Sequence, residues 1–552
     1  MNVRRPLVRG LVALTAATLL LSACTTTGDP EPGGTAAAGG TVQEATVVVA
    51  QELNTIDPPL AIDSNSAIVV NNVYEGLYRL DEANQPVPAG AADLPEVSAD
   101  GLTYTIPLNP DATWSDGTPV TAHDYVFAWQ RAVGLDNAGE NQKYYGTILN
   151  ADAIIAGEQE PDQLGVEATD DHTLVVTLAA PVAYFPSMLA VVPFFPVSEA
   201  YVTEQGDAFA SDSEHAVYNG PFVLADFAGP GIGTDWTYER NDEYWDAGSV
   251  RLDSIAVRVV KETTTAVNLY KSGEVHQVAI AGAQVQAEQA DPGFVADTTA
   301  TSAFLGYNHA DPVLADPRVR EAISLVIDRE ALTASVLADG STPATGLVPP
   351  GLATSPDGED FADAAGDLLT TDVARAQDLW AQARADLGVS SLAIDLQTFE
   401  SDRTRAVAEY LQGAVQENLE GVTLAVTTNP VANFLEKTGS GAFGAYLVTW
   451  GADYADPSSQ LGLVRSDAGT NWGGYANPEF DAALEAAQVT HATDAAARFD
   501  DLLHAQEVLV ADQGVTPIYF QSSTLLRSPD LKGVVFHTAG PAFEYKSAYL
   551  ED

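Results

Sequence analysis

Metal, acid–base and nucleophilic chemistry draws mostly on histidine, cysteine and paired carboxylates, and their spacing says which chemistry is available. The eight histidines stand at 123, 172, 215, 276, 309, 491, 504 and 537. No two are three or four apart, as helix-borne metal ligands would be, and no HExxH occurs. Only side chains distant in sequence could converge on a metal. The chain has no GxSxG elbow and no Walker lysine loop. Gly229-Pro-Gly-Ile-Gly233 joins two strand candidates and precedes no helix, so it reads as a hairpin loop rather than a phosphate cradle. With 77 acidic residues a glycosidase-like pair could be imagined almost anywhere, so such pairs carry little information. Most read as a solvated acidic surface. No enzyme activity, metal or cofactor is expected.

The single cysteine, Cys24, excludes an intrachain disulfide, a multi-cysteine zinc site and a thiolate-ligated cluster. Its address is more informative. Residues 1–23 open with a basic segment holding Arg4, Arg5 and Arg9, continue as an apolar run from Leu11 to Leu21, and end in Ser22-Ala23. This is the layout of a secretory signal, with an apolar run too short for an ordinary spanning helix. Leu21-Ser22-Ala23-Cys24 resembles the lipobox of bacterial lipoproteins, which implies that Cys24 is lipidated and becomes the first mature residue. Residues 24–42 then form the lipidated tether, rich in Thr, Gly, Ala and Pro and without apolar periodicity. Such an anchor holds a folded body on the extracytoplasmic face of the cell membrane.

The elements that must position any site follow from pattern. At roughly 100–200 residues per domain, 552 residues exceed one domain. A composition 46% apolar and 18% charged permits a large core and excludes wholesale disorder. Twenty-four basic against 77 acidic residues give a formal charge of −53, a field that suits neither nucleic acid nor anionic lipid but suits solubility in concentrated salt. From Ala45 onward, strands are expected at 46–50, 102–106, 173–178, 221–225, 236–239, 254–260, 392–396, 422–427 and 445–450. Helices are expected from Ser66 to Leu77, after the Thr121-Ala-His-Asp124 capping box, and after Asp316-Pro317. The alternation reads as α/β.

Trp114-Ser-Asp-Gly-Thr-Pro-Val-Thr-Ala-His-Asp-Tyr-Val-Phe-Ala-Trp-Gln-Arg131 resembles the hallmark segment of family 5 extracellular solute-binding proteins. These are the oligopeptide- and dipeptide-binding lipoproteins that feed ABC importers. Asp57-Pro58, Tyr74-Glu-Gly-Leu77, Asn219-Gly-Pro-Phe222, Glu239-Arg-Asn-Asp-Glu-Tyr-Trp245, Lys271-Ser-Gly-Glu274, Asp316-Pro-Arg-Val-Arg-Glu-Ala322 and Trp450-Gly-Ala-Asp-Tyr454 follow in family order, closest to the oligopeptide branch. The resemblance implies a bilobal, periplasmic-binding-protein-like fold with three domains around a ligand cleft and a hinge. Domain I would comprise 43–87, 213–315 and 525–552, domain II 88–212, and domain III 316–524. The implied function is capture of oligopeptides by a monomer and delivery to permease subunits, without cofactors.

The same resemblance assigns Asp453 to the ligand's α-ammonium, against the alternative that it only shapes the turn to Pro457. It places Trp450 at the wall of the first pocket, or in plain core packing. Thr449, Gly451 and the Ile62–Asn65 segment, including Asp63 and Ser64, align with backbone contacts to the ligand. Tyr145, with its neighbour Tyr144, is assigned to the cleft lining, with a core role as the alternative. Arginines that meet the carboxylate end of short ligands in relatives correspond here to Thr438, beside Lys437, and Leu447, so no such clamp is expected. Other readings are a non-peptide solute (oligosaccharide, nickel chelate or haem), a peptide-sensing receptor, and a secreted peptidase, for which no motif speaks.

Overall fold

The computed structural model describes residues 42–81, 84–134, 140–232 and 235–551. Cys24, the leader and the tether up to residue 41 lie outside the described residues. One long sheet organises the rest. Its strands are β1 (Glu44–Val49), β2 (Phe222–Ala225), β3 (Asp235–Arg240), β4 (Ser254–Val259), β5 (Gln277–Ala279), β6 (Phe294–Tyr307), β7 (Leu392–Phe399), β8 (Val422–Asn429), β9 (Ala445–Gly451) and β10 (Val515–Arg527). They lie in the order β8-β7-β9-β6-β10-β5-β1-β4-β3-β2, with Thr342–Pro343 added beside β10.

Each end of the sheet contains a parallel set, β7 with β8 and β9, and β1 with β4 and β5. Parallel neighbours need crossover connections, which helices such as Asp402–Asn418 supply by burying Val407, Leu411 and Val415 against the strands. The sheet and its covering helices make the α/β architecture read from the pattern. The apolar interior separates into lobes. One cluster draws on residues between Ala45 and Val257 and on Leu531–Leu550, while two others draw on residues between Ala300 and Ala539. The antiparallel pair β6 and β10 lies in the middle of the sheet, between β9 and β5. Its register breaks between Thr298/Ser522 and Ser302/Phe520, where β6 advances four residues for two on β10. A bulge of that kind bends a sheet and interrupts its ladder.

The expected strands are all present within a few residues. Gly229–Ile232 falls in the connection of the antiparallel hairpin β2–β3, as the glycine run implied. The helix expected from Ser66 to Leu77 instead spans Ser64–Val73. Asp63 caps it earlier, its Oδ1 accepting from Ser66 N at 2.9 Å. Its end comes sooner because Glu75 leaves the helix to pair with Asn219. Glu75 N donates to Asn219 Oδ1 at 3.0 Å, and Asn219 Nδ2 donates to Glu75 O at 2.8 Å.

That exchange opens a junction that gathers the motif series. Trp245 Nε1 donates to Glu75 Oε2 at 2.7 Å, and the Tyr244 hydroxyl donates to the other carboxylate oxygen. Burial pushes the Glu75 carboxyl up, against the pull of Lys546 and of those two donors. Gly220 is required here, because a Cβ would stand 2.6 Å from the Val73 carbonyl carbon and 2.7 Å from Tyr74 N. Arg131, at the end of the hallmark segment, reaches Asp57 with both terminal nitrogens at 2.9 and 2.6 Å. Between them, Thr121 N donates to Asp124 Oδ2 at 2.8 Å, and this capping box starts the Ala122–Val133 helix that buries Tyr125, Trp129 and Val133.

Candidate functional site

Asp453 stands two residues beyond the end of β9, in the connection to the Ser458–Leu461 helix. The turn that follows is fixed by a different carboxylate. Asp456 accepts from Ser458 N at 2.9 Å and holds Arg498 in a bidentate pair, 2.8 Å on each side, with both side chains nearly buried. Asp453 contributes its backbone N–H, donated to Ser459 Oγ at 2.8 Å, and keeps its carboxylate for another purpose.

That carboxylate faces the first lobe. Lys143 Nζ lies 3.2 Å from Asp453 Oδ1, and the Tyr144 hydroxyl donates to the same oxygen at 3.3 Å. Burial, then the neighbouring Asp453 charge, pushes the Tyr144 phenol well up, so it remains a donor at neutral pH. Beside this group Tyr184 stacks on Tyr454, with centroids 4.3 Å apart and planes within 4°. Tyr454 belongs to the second lobe by sequence but packs against the first lobe's core. A cavity of about 340 Å³ opens next to the stack, lined among others by Ser187, Thr354, Asp456 and Arg498. It lies next to Asp453 without including it.

The other residues named from sequence are placed as follows. Tyr145 is fully buried, its hydroxyl donates to Pro193 O, and its ring meets Phe194 at 4.8 Å and Trp129 at 6.5 Å. It therefore takes the core role, while the neighbouring Tyr144 faces Asp453. The Glu140–Thr147 segment is a 3₁₀ helix, in which successive side chains point about 120° apart, so 144 faces the seam while 145 faces the core. Trp450 is half-buried and packs edge-on to Trp472 at 6.2 Å. Thr449 and Gly451 pair with Ala303 and Thr301 of β6, close to the bulge.

Asp63 spends its carboxylate on the helix cap. Burial raises its pKa, but bonds from Ser66 N, Ser66 Oγ and Asn54 outweigh that and hold it below the usual range. Ser64 is exposed and borders a largely apolar cavity of about 230 Å³ between β1 and the Ser64–Val73 helix. Neither residue meets Asp453. Thr438 is buried with its hydroxyl on Phe434 O at 2.9 Å, Leu447 is buried, and Lys437 Nζ donates to Gln397 Oε1 at 3.0 Å. The two positions without arginine thus present no charge.

Lys143 is the residue that sequence reading missed. One signal was available, since it is the only lysine or arginine between Arg131 and Arg240. Among the described residues no group of three or more His, Cys, Asp or Glu could hold a metal ion, and no helix is long and apolar enough to cross a membrane.

The chain as a whole is similar to known proteins. The profile of bacterial extracellular solute-binding proteins, family 5 Middle, matches residues 85–472. A dipeptide-binding protein of Lactococcus lactis is 31% identical over 91% of this chain and 94% of its own. The substrate-binding domain of an oligopeptide ABC transporter from Bacillus anthracis is 35% identical, covers 93% of this chain and 99% of its own, and superposes with a TM-score of 0.71. The chain belongs to family 5 of the bacterial extracellular solute-binding proteins, a family of binding proteins rather than enzymes. The murein tripeptide-binding protein MppA, 27% identical, sharpens the comparison. Its unliganded open form covers 93% of this chain and 98% of its own with a TM-score of 0.80, whereas a second MppA structure, from Escherichia coli, covers 93% and 99% with 0.69.

Proposed function

We propose that this protein is a lipid-anchored receptor that captures oligopeptides by their free N-terminus and delivers them to the permease of an ABC importer. The observation that carries the reading is the Asp453 carboxylate, which is released from turn-making by the Asp456–Arg498 pair and presented across the seam between lobes. An ammonium–carboxylate pair at about 4 Å has a Coulomb energy of about 4 kcal/mol at an effective dielectric near 20, before desolvation and solvent screening reduce it. Thr449, Gly451 and the 62–65 segment would supply backbone groups for strand addition, which holds a peptide main chain without reading its side chains. Thr438 and Leu447, both uncharged, fit a site without a carboxylate clamp and hence without a strict ligand length.

In this reading the body consists of domain I (43–87, 213–315, 525–552), domain II (88–212) and domain III (316–524). The bulge between Thr298 and Ser302 is the hinge, and peptide favours the closed state by binding it more tightly. Cys24 carries the lipid. The decisive experiment is native mass spectrometry of the protein purified without refolding, followed by release and sequencing of what travels with it. A ladder of mixed-sequence peptides is the expected result. A single non-peptide mass would transfer the site to another solute, and a peptide-bound protein with no import defect on deletion would make it a sensor.

A further inference from the structure

We propose that Lys143 is a built-in competitor for the Asp453 carboxylate, a specificity-determining residue whose ammonium an incoming α-amino group must displace. The identity of that incoming group rests on the peptide reading above. Lys143 is the one lysine or arginine in the long, carboxylate-rich stretch between Arg131 and Arg240. Acidic partners abound near it in sequence, yet its Nζ sits 3.2 Å from an Asp453 oxygen 310 positions away. The Tyr144 hydroxyl converges on the same oxygen, and Nζ also lies 5.1 Å over the Tyr144 ring. A primary ammonium held by a carboxylate and a phenol is the arrangement a peptide N-terminus would seek there.

The exchange is feasible because the pair is accessible. The Lys143 side chain is 57% exposed and that of Asp453 32%, and ion pairs at such exposure hold weakly. A peptide brings main-chain hydrogen bonds that Lys143 lacks, so it can displace the lysine. A simple amine brings only the ammonium and gains too little. Lys143 thereby sets a threshold that favours extended peptides over small amines. Removing it favours free-amine ligands whether the lysine is displaced or stays nearby and repels the incoming charge.

The test uses the full chain and two probes, a mixed-sequence tetrapeptide library and the same library N-acetylated, with retained peptide quantified by mass spectrometry. Lys143→Met is expected to retain the free-amine library about two- to fivefold more tightly, the range that an exposed pair allows. Retention of the acetylated library should stay unchanged or fall, and ethylammonium should become a measurable competitor. Lys143→Arg should keep the wild-type ratio. Equal changes for both libraries in Lys143→Met, or weaker free-amine retention, would overturn the proposal and make Lys143 a plain interlobe tie. If Asp453→Asn discriminates between the libraries while Lys143→Met does not, this inference falls and the peptide reading survives. If neither library is retained by the wild type, both fall together.

Discussion

The motif junction of the first lobe and the seam between the lobes use the same chemistry to opposite ends. At the junction, Asp57 and Arg131 form a bidentate pair with side chains 6% and 21% exposed, and Glu75 is enclosed by Asn219, Tyr244 and Trp245. At the seam, Lys143 and Asp453 are 57% and 32% exposed and meet through a single contact. Charges taken out of water must be paired and fully bonded, or they destabilise the fold, so the junction is a fixed structure. Charges left in water exchange partners at little cost, so the seam pair is not a fixed structure. The paired residues of the junction therefore hold the first lobe together, whereas the Lys143–Asp453 pair at the seam is exposed and weakly held.

Breaking the junction should have the largest effect. Arg131→Met leaves the Asp57 carboxylate buried without its guanidinium and should cost about 3–5 kcal/mol of unfolding free energy. Urea denaturation measures this. Adding Asp57→Asn should restore a good part of the loss, because removing both charges leaves none uncompensated. Recovery of nothing would mean that the pair is not what joins Pro58 to the hallmark helix.

The second lobe offers a related test of enclosure. Burial, assisted by Arg320, lowers the His309 imidazole to about 4, and its Nε2 bonds to Gly514 O at 3.1 Å. Between about pH 4 and 6.5 the unfolded chain thus binds a proton that the folded chain does not. Stability from this site is complete above about 6.5 and is lost as pH falls toward 4, by about 2–4 kcal/mol in all. Comparing wild type with His309→Gln in urea at pH 7 and pH 4.5 isolates the effect. Parallel declines in the two proteins would show that the site is solvated.

At the seam, Asp453→Asn should change stability by less than about 1 kcal/mol while weakening free-amine peptides about 10- to 100-fold, the loss of one charge-assisted contact. N-acetylated peptides should lose less than about twofold, and calorimetry with both peptide types decides. The smallest effect is expected at the Tyr184–Tyr454 stack. A double-mutant cycle with leucine at both positions should return a coupling of about 0.5–1.5 kcal/mol. A coupling as large as that of the Asp57–Arg131 pair would erase the contrast between fixed junction and loose seam.

Legibility in sequence divides along the same line. Caps, turns and short strands were read close to where they occur, because each depends on groups a few positions apart, as Thr121 and Asp124 do. The two longest strands, β6 and β10, were not anticipated. The first half of β6 is Phe-Val-Ala-Asp-Thr-Thr-Ala-Thr, which lacks a continuous apolar face, and β10 contains Pro517, which argues against a central strand. Both are tolerated because the register shifts beside Ala303 and Phe304, and because Arg329 Nε donates to the Pro517 carbonyl at 2.9 Å.

By itself the sequence determined the α/β alternation and the family resemblance, and through that resemblance it singled out Asp453 as a carboxylate to test. The tertiary structure decided which tyrosine of Tyr144-Tyr145 faces the seam, that Asp456 rather than Asp453 holds the turn, and that Lys143 is the cation opposite. The physical reason is range. Hydrogen bonds within a turn or cap are written in adjacent residues, whereas a contact across 310 positions exists only after β9 and the 140–147 helix have been set facing each other by two separately packed cores.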